Sequence, residues 1–125
     1  MVRQPLIAGG SGTPLLRCRV EAMPDAVVVR VEGEVDLATA PRLADSIADA
    51  FRRGPCVIVD LAGVTYLDGS GVAVLERAAE SHLARLAVAG PRLQVRRLFD
   101  LLHLAEVVPL VASLEAGREY LHHCN

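Results

Sequence analysis

The sequence predicts an α/β domain: a mixed, mostly parallel sheet of about five strands with about four helices, in the order ββαβαβαβα. Three observations carry this expectation. First, the 125-residue chain is 52% hydrophobic yet has only two Phe, two Tyr and no Trp. Its core must therefore be aliphatic, which suits a small sheet covered by Ala- and Leu-rich helices. Second, two segments of strict two-residue alternation open the chain, joined by a short link. Third, short continuous apolar runs then alternate with segments of helical period, and strands separated by helices need crossover connections.

In order, Leu16, Cys18 and Val20 face one way and Arg17, Arg19 and Glu21 the other, the period of a half-exposed strand. Met23-Pro24-Asp25 makes a turn, and Val27, Val29 and Val31 alternate with Val28, Arg30 and Glu32 in a second strand, antiparallel to the first. Thr39 is the expected cap of a helix beginning near Pro41, with Leu43, Ile47, Ala50 and Phe51 on its inner face and Gly54-Pro55 ending it. Cys56-Val57-Ile58-Val59 is a continuous apolar run, as a strand buried on both faces requires. A second helix is expected from about Ser70-Gly71, with Val72, Leu75, Ala79 and Leu83 inward. Leu86-Ala87-Val88-Ala89 reads as another buried strand, stopped by Gly90-Pro91. A third helix uses Val95, Leu98, Phe99 and Leu102, with Arg92, Arg96, Arg97 and Asp100 towards water. Val107 to Val111 is interrupted by Pro109 and so belongs at a sheet edge. Ser113 caps a last helix through about His122. The domain spans residues 15–122, after a glycine-rich lead-in over 1–14 in which no Gly-Lys-Ser/Thr phosphate loop occurs.

Composition excludes several functions. The formal net charge is -2 with both signs interspersed, which does not make a phosphate-tracking surface, and the scarcity of aromatics argues against base stacking. Direct nucleic-acid binding is not expected. All 13 basic residues are Arg, a bias suggesting a GC-rich bacterial genome. Cys18, Cys56 and Cys124 are odd in number, far apart and without a C-x-x-C pair, so neither a disulfide framework nor a zinc site is expected. His122-His123-Cys124 reads as an incidental tail, and His82 and His103 as surface or packing residues. No apolar run reaches the length of a membrane span and no secretory signal is visible, so the expected location is the cytoplasm.

The informative stretch runs from Asp60 to Val72 and contains Asp68-Gly69-Ser70-Gly71. It leads from a buried strand through an expected loop into a helix start, where α/β folds commonly place function. A serine in the first helical turn meets free backbone N–H groups and the positive dipole end, and side-chain-free neighbours allow a large partner close to its hydroxyl. Taken alone, the tetrapeptide is also what an N-cap serine between turn glycines looks like. A nucleophile elbow does not fit, because Asp68 and Val72 stand where glycines are needed. No His–carboxylate arrangement accompanies Ser70, so no catalytic or metal-ligating set is assigned.

The wider pattern resembles the STAS domain family. Asp60-Leu61, Val64, Asp68, Ser70, Gly71 and Leu75 match its D-L-x-x-V-x-x-x-D-S-S-G-x-x-x-L segment. Gly33-Glu34-Val35-Asp36 with Thr39-Ala40-Pro41 resembles G-E-x-D-x-x-x-A-P, and Leu86 to Leu104 resembles the later L-x-x-x-G-P…V-R-R-L-L stretch. The resemblance implies an anti-sigma factor antagonist, not an enzyme, with Ser70 as phosphoacceptor and Gly69 in place of the motif's first serine. It implies a partner surface of Asp36, Asp68, Gly69, Ser70 and Gly71; the residues alone equally allow Asp36 to close a turn after the second strand and Asp68 to cap the second helix. The implied partners are an anti-sigma factor with serine kinase activity, which brings its own ATP and Mg²⁺, and a phosphatase; the domain needs no cofactor. A different use of the same family fold is an accessory subunit of a membrane transport system that acts without phosphorylation.

Overall fold

A computed structural model describes residues 15–124; the expected lead-in over residues 1–14 lies outside the described residues. Five strands, β1 (Leu16–Ala22), β2 (Val27–Val35), β3 (Val57–Leu67), β4 (Leu86–Ala89) and β5 (Leu110–Val111), stand in the sheet in their order along the chain. β1 is antiparallel to β2, and all other pairings are parallel. The helices are α1 (Ala40–Arg53), α2 (Gly69–Ser81), α3 (Leu93–Leu101) and α4 (Leu114–Tyr120).

The alternation in β1 and β2 becomes a seven-pair ladder from Leu16↔Gly33 to Ala22↔Val27. Because each parallel strand is added beside its predecessor and crossovers are right-handed, α1, α2 and α3 fall on one face. There Val29, Val31, Val57, Val59 and Val88 meet Leu43, Ile47, Leu75 and the fully buried Phe99. α4 follows the last strand and covers the other face, where Val28, Ile58, Ala87 and Ala89 meet Leu121 and Cys124. Side chains of successive strand residues point to opposite faces, so the continuous apolar runs of β3 and β4 supply both layers.

An ionic contact crosses the strands at Arg30 of β2. Its guanidinium donates to Glu21 of β1 at 3.0 Å and to Asp60 of β3 at 3.1 Å. The hydrogen bond from Arg30 holds the Glu21 carboxyl below its ordinary value.

Several expectations are corrected. β3 does not stop at Val59 but continues to Leu67, so the expected loop after Asp60 is strand. Its second half is hard to read because the ladder to β2 shifts register between Arg30 and Glu32 and again between Gly33 and Glu34. Such bulges break the two-residue period, and the buried residues become Leu61, Val64 and Leu67, three apart. Leu83 is 75% exposed rather than inward, because α2 ends at Ser81 and the chain turns through Ala84 with φ 64°. Leu102 is exposed for the same kind of reason: α3 ends at Leu101 and His103 has φ 54°. Thr39 makes no capping bond to α1. Its hydroxyl instead donates to the Glu34 carbonyl at 2.8 Å, and Asp36 closes the turn before the helix by accepting the N–H groups of Ala38 and Thr39. The edge position expected for residues 107–111 holds, shortened to the two residues of β5 beside β4.

Cysteine usage also differs. Cys56 and Cys124 form a disulfide that joins the start of β3 to the segment after α4, across 68 residues. Cys18 is free and packs against the α1 side of the sheet, where burial pushes its thiol up against the smaller effect of a hydrogen bond with Ser46.

Candidate functional site

β2 and β3 run on together beyond the end of β4, and this two-stranded extension carries the candidate site. Val35↔Leu67 is its last pair, so the turns that follow each strand lie side by side. After β2, the Asp36 carboxylate accepts the backbone N–H groups of Ala38 and Thr39, both at 3.0 Å. The Thr39 hydroxyl accepts the Asp36 N–H at 2.9 Å. Asp36 therefore closes the turn into α1. After β3, Asp68 is the N-cap of α2, its Oδ1 accepting from Ser70 N at 2.8 Å and Gly71 N at 3.4 Å. The Asp68 N–H donates to the Val35 carbonyl at 3.1 Å, which ties the two turns together.

Ser70 is thus the second residue of α2 and not its cap. Its side chain is half-buried, and among the described residues its hydroxyl has no hydrogen-bond partner. The two glycines beside it differ. Gly69 is exposed, and a Cβ built on it meets nothing within 4 Å. Gly71 is buried, and a Cβ there collides with Leu67 Cδ1 and comes within 2.7 Å of Val35 Cγ1. Gly69 leaves the approach to Ser70 open, while Gly71 lets α2 sit down on the strand ends. Losing the Asp68 cap is expected to cost about 1 kcal/mol, the usual effect of an N-cap carboxylate replaced by alanine. Urea unfolding of Asp68→Ala and Asp68→Asn measures it, and the asparagine variant should recover most of the loss.

Sequence reasoning passed over two apolar residues at this edge. Leu37, inside the Asp36 turn, is 79% exposed, and Tyr66, next to the last strand pair, is 51% exposed. Glu32 and Glu34 are exposed beside them, so the surface is acidic with two apolar side chains in it. The available signal was an unneeded Leu in a capping turn. Singly exposed apolar residues are common, but these two stand at the same end of the β2–β3 pair, from which α2 starts.

The remaining sequence candidates lie elsewhere. His82 is stacked on Phe51 with ring centroids 3.6 Å apart, at the far end of α2 from Ser70. His122 and His123 have ring nitrogens 2.8 Å and 3.0 Å from the carbonyls of Glu119 and Ala84. Among the described residues no group of three or more His, Cys, Asp or Glu side chains is arranged to hold a metal ion. No described helix is long and apolar enough to cross a membrane. Arg92 donates to the Ala62 carbonyl at 2.9 Å, covering part of the β3 edge that β4 leaves open.

The fold has counterparts among known proteins. No curated protein matches the chain. Among solved structures, an anti-sigma factor antagonist from Mycobacterium paratuberculosis is 27% identical with a TM-score of 0.78, covering 85% of this chain and 93% of that one. The unphosphorylated form of the anti-sigma factor antagonist SpoIIAA is 22% identical with a TM-score of 0.66, over 87% of this chain and 99% of that one. The murine anion transporter Slc26a9 contains the same fold at 14% identity and a TM-score of 0.67, over 82% of this chain but 18% of the transporter. A sequence model of the STAS domain matches residues 17–117. That match takes in the whole β2–β3 extension with its Asp36 and Asp68 turns, and the chain belongs to the STAS domain family.

Proposed function

We propose that this protein is a cytoplasmic anti-sigma factor antagonist that works by phosphorylation-controlled partner switching. Unphosphorylated, it binds an anti-sigma factor through Asp36, Asp68, Gly69, Ser70, Gly71 and their surroundings, and so releases the sigma factor. The anti-sigma factor is also the kinase. The Ser70 hydroxyl oxygen attacks the γ-phosphorus of ATP held with Mg²⁺ by that partner, ADP leaves, and the hydroxyl proton passes to a base on the partner. A phosphatase hydrolyses the ester and resets the switch. The domain itself is ligand and substrate and performs no chemistry.

The observation that supports this reading most is the Ser70 hydroxyl on the second residue of α2, without a hydrogen-bond partner among the described residues and beside an open glycine. A structural serine at a helix start would spend its oxygen on a backbone N–H; here Asp68 has taken that duty. The 27% identity to an anti-sigma factor antagonist supports the partner class. The test is to incubate the chain with its anti-sigma factor and ATP, and to locate phosphate by mass spectrometry. Incorporation of one phosphate on Ser70, abolished in Ser70→Ala, is the expected result. Label on another residue, or undiminished label in the variant, refutes the assignment.

A further inference from the structure

The end of the sheet opposite Ser70 carries a different chemistry. The Cα atoms of Cys56 and Cys124 are 6.0 Å apart, within the ordinary span of a disulfide. The bond ties down α4, which has seven residues, too few to be helical without tertiary support. Apart from the bond, α4 is held by its packing on β3, β4 and β5 on one face of the sheet. Gly117 sits on the Ile58 side chain, Leu121 is buried, Arg118 pairs with Asp25 at 3.1 Å, and His123 Nε2 lies 3.0 Å from the Ala84 carbonyl oxygen.

We propose that Cys56–Cys124 is a reversible thiol–disulfide site that locks α4 onto the sheet, with low-molecular-weight thiols as its reductants and the corresponding disulfides as its oxidants. Access to the two sulfurs is unequal. Cys56 is 1% exposed and Cys124 8%. Cys124 lines two surface clefts, one with Leu83, Arg85 and His123, the other with Pro24, Arg53, Pro55 and Cys56 itself, so Cys124 is reached from two sides and Cys56 from one. An incoming thiolate therefore bonds to Cys124 Sγ. The S–S bond breaks, its electron pair leaves on Cys56 Sγ, and that sulfur takes a proton from water. Cys56 Sγ lies 2.9 Å from the Cys124 carbonyl oxygen, so the new thiol has an acceptor at hand. A second thiolate attacks the incoming sulfur of the mixed disulfide, releasing a low-molecular-weight disulfide and the Cys124 thiolate. Two exogenous thiols have been oxidised and one protein disulfide reduced.

The third cysteine does not interfere. Cys18 packs on the other face of the sheet, with its thiol pushed up by burial. Opening the bond returns loop freedom to the chain, and α4 is left with its packing on one face of the sheet, so its detachment becomes a local opening separate from unfolding of the domain.

Hydrogen exchange followed by mass spectrometry on the full chain tests this, with dithiothreitol as reductant and glutathione disulfide as oxidant. On reduction, amides of residues 113–124 should exchange at least about tenfold faster, while those of α2 keep their rates. Reoxidation should restore the slow rates, and Cys124→Ser should exchange fast without reductant. Cys56→Ala serves as the second variant should the serine disturb folding. The proposal is overturned by equal exchange of 113–124 in the two states. It is also overturned by acceleration that spreads into α2, or by a bond that yields to dithiothreitol only in denaturant. No readout involves Ser70 or its partner, so the two proposals stand or fall separately.

Discussion

Ser70→Asp is expected to weaken binding to the anti-sigma factor by about 100-fold, close to 3 kcal/mol, while the circular dichroism spectrum stays native. The helix start is the reason both halves hold. A phosphoserine adds about -1.5 to -2 charges near neutral pH, and a helix N-terminus ordinarily welcomes such a charge through its free N–H groups. In α2 the N–H groups of Ser70 and Gly71 are already given to the Asp68 carboxylate. A second anion at Ser70 finds those donors occupied and an acidic neighbour beside it, so it turns outward, into the space a partner would fill. The fold itself loses nothing, because the native hydroxyl makes no bond that folding needs. Isothermal titration with Ser70→Asp and Ser70→Asn separates charge from shape. Binding of the aspartate variant within about twofold of wild type would remove Ser70 from the interface. A collapsed spectrum would make the residue structural.

Gly71→Ala should lower stability by about 1–2 kcal/mol and the melting temperature by about 4–8 °C. In an open helix the same change would stabilise by about 0.5–1 kcal/mol, so the sign reports on packing. The added methyl has Leu67 and Val35 in its way, both buried at the ends of β3 and β2. Either α2 lifts or those side chains leave their rotamers, and both cost energy. Gly69→Ala is the control, since its methyl enters open space. Calorimetry on the two variants should give opposite signs, and a neutral Gly71→Ala would mean that the helix start is looser than the contacts imply.

Much of the fold was legible because it is written in local periods. The alternation of Leu16 to Glu21 and the apolar run Cys56 to Val59 needed only the two-residue repeat and the length of a strand. What failed was non-local. Residues 61–67 hide as strand because bulges set by the partner β2 break their period. Leu83 and Leu102 continue a helical pattern just past the last helical residue and just before the left-handed Ala84 and His103 turn the chain away. Thr39 looks like a cap by type, but its hydroxyl is turned back to the Glu34 carbonyl and does not reach the N–H groups of α1. The pairing of Cys56 with Cys124 depends on α4 folding back over the sheet, which no spacing along the chain encodes. At the site, sequence order placed Ser70 at a helix start, but the division of labour between Asp68 and Ser70, and between Gly69 and Gly71, exists only in three dimensions.

The strand order has a consequence for assembly during synthesis. Since β1 to β5 stand in the sheet as they stand in the chain, each new strand can pair with the one made just before it, and none must wait for a later arrival. The acidic edge with Ser70 is complete once α2 has emerged, before β4, β5 and α4 exist. The sulfur that meets Cys56 is made only after β4, β5 and α4. Cys18 precedes it by far, yet packs on the opposite face of the sheet. Nascent Cys56 is thus kept from the wrong partner by which side of a growing sheet it faces.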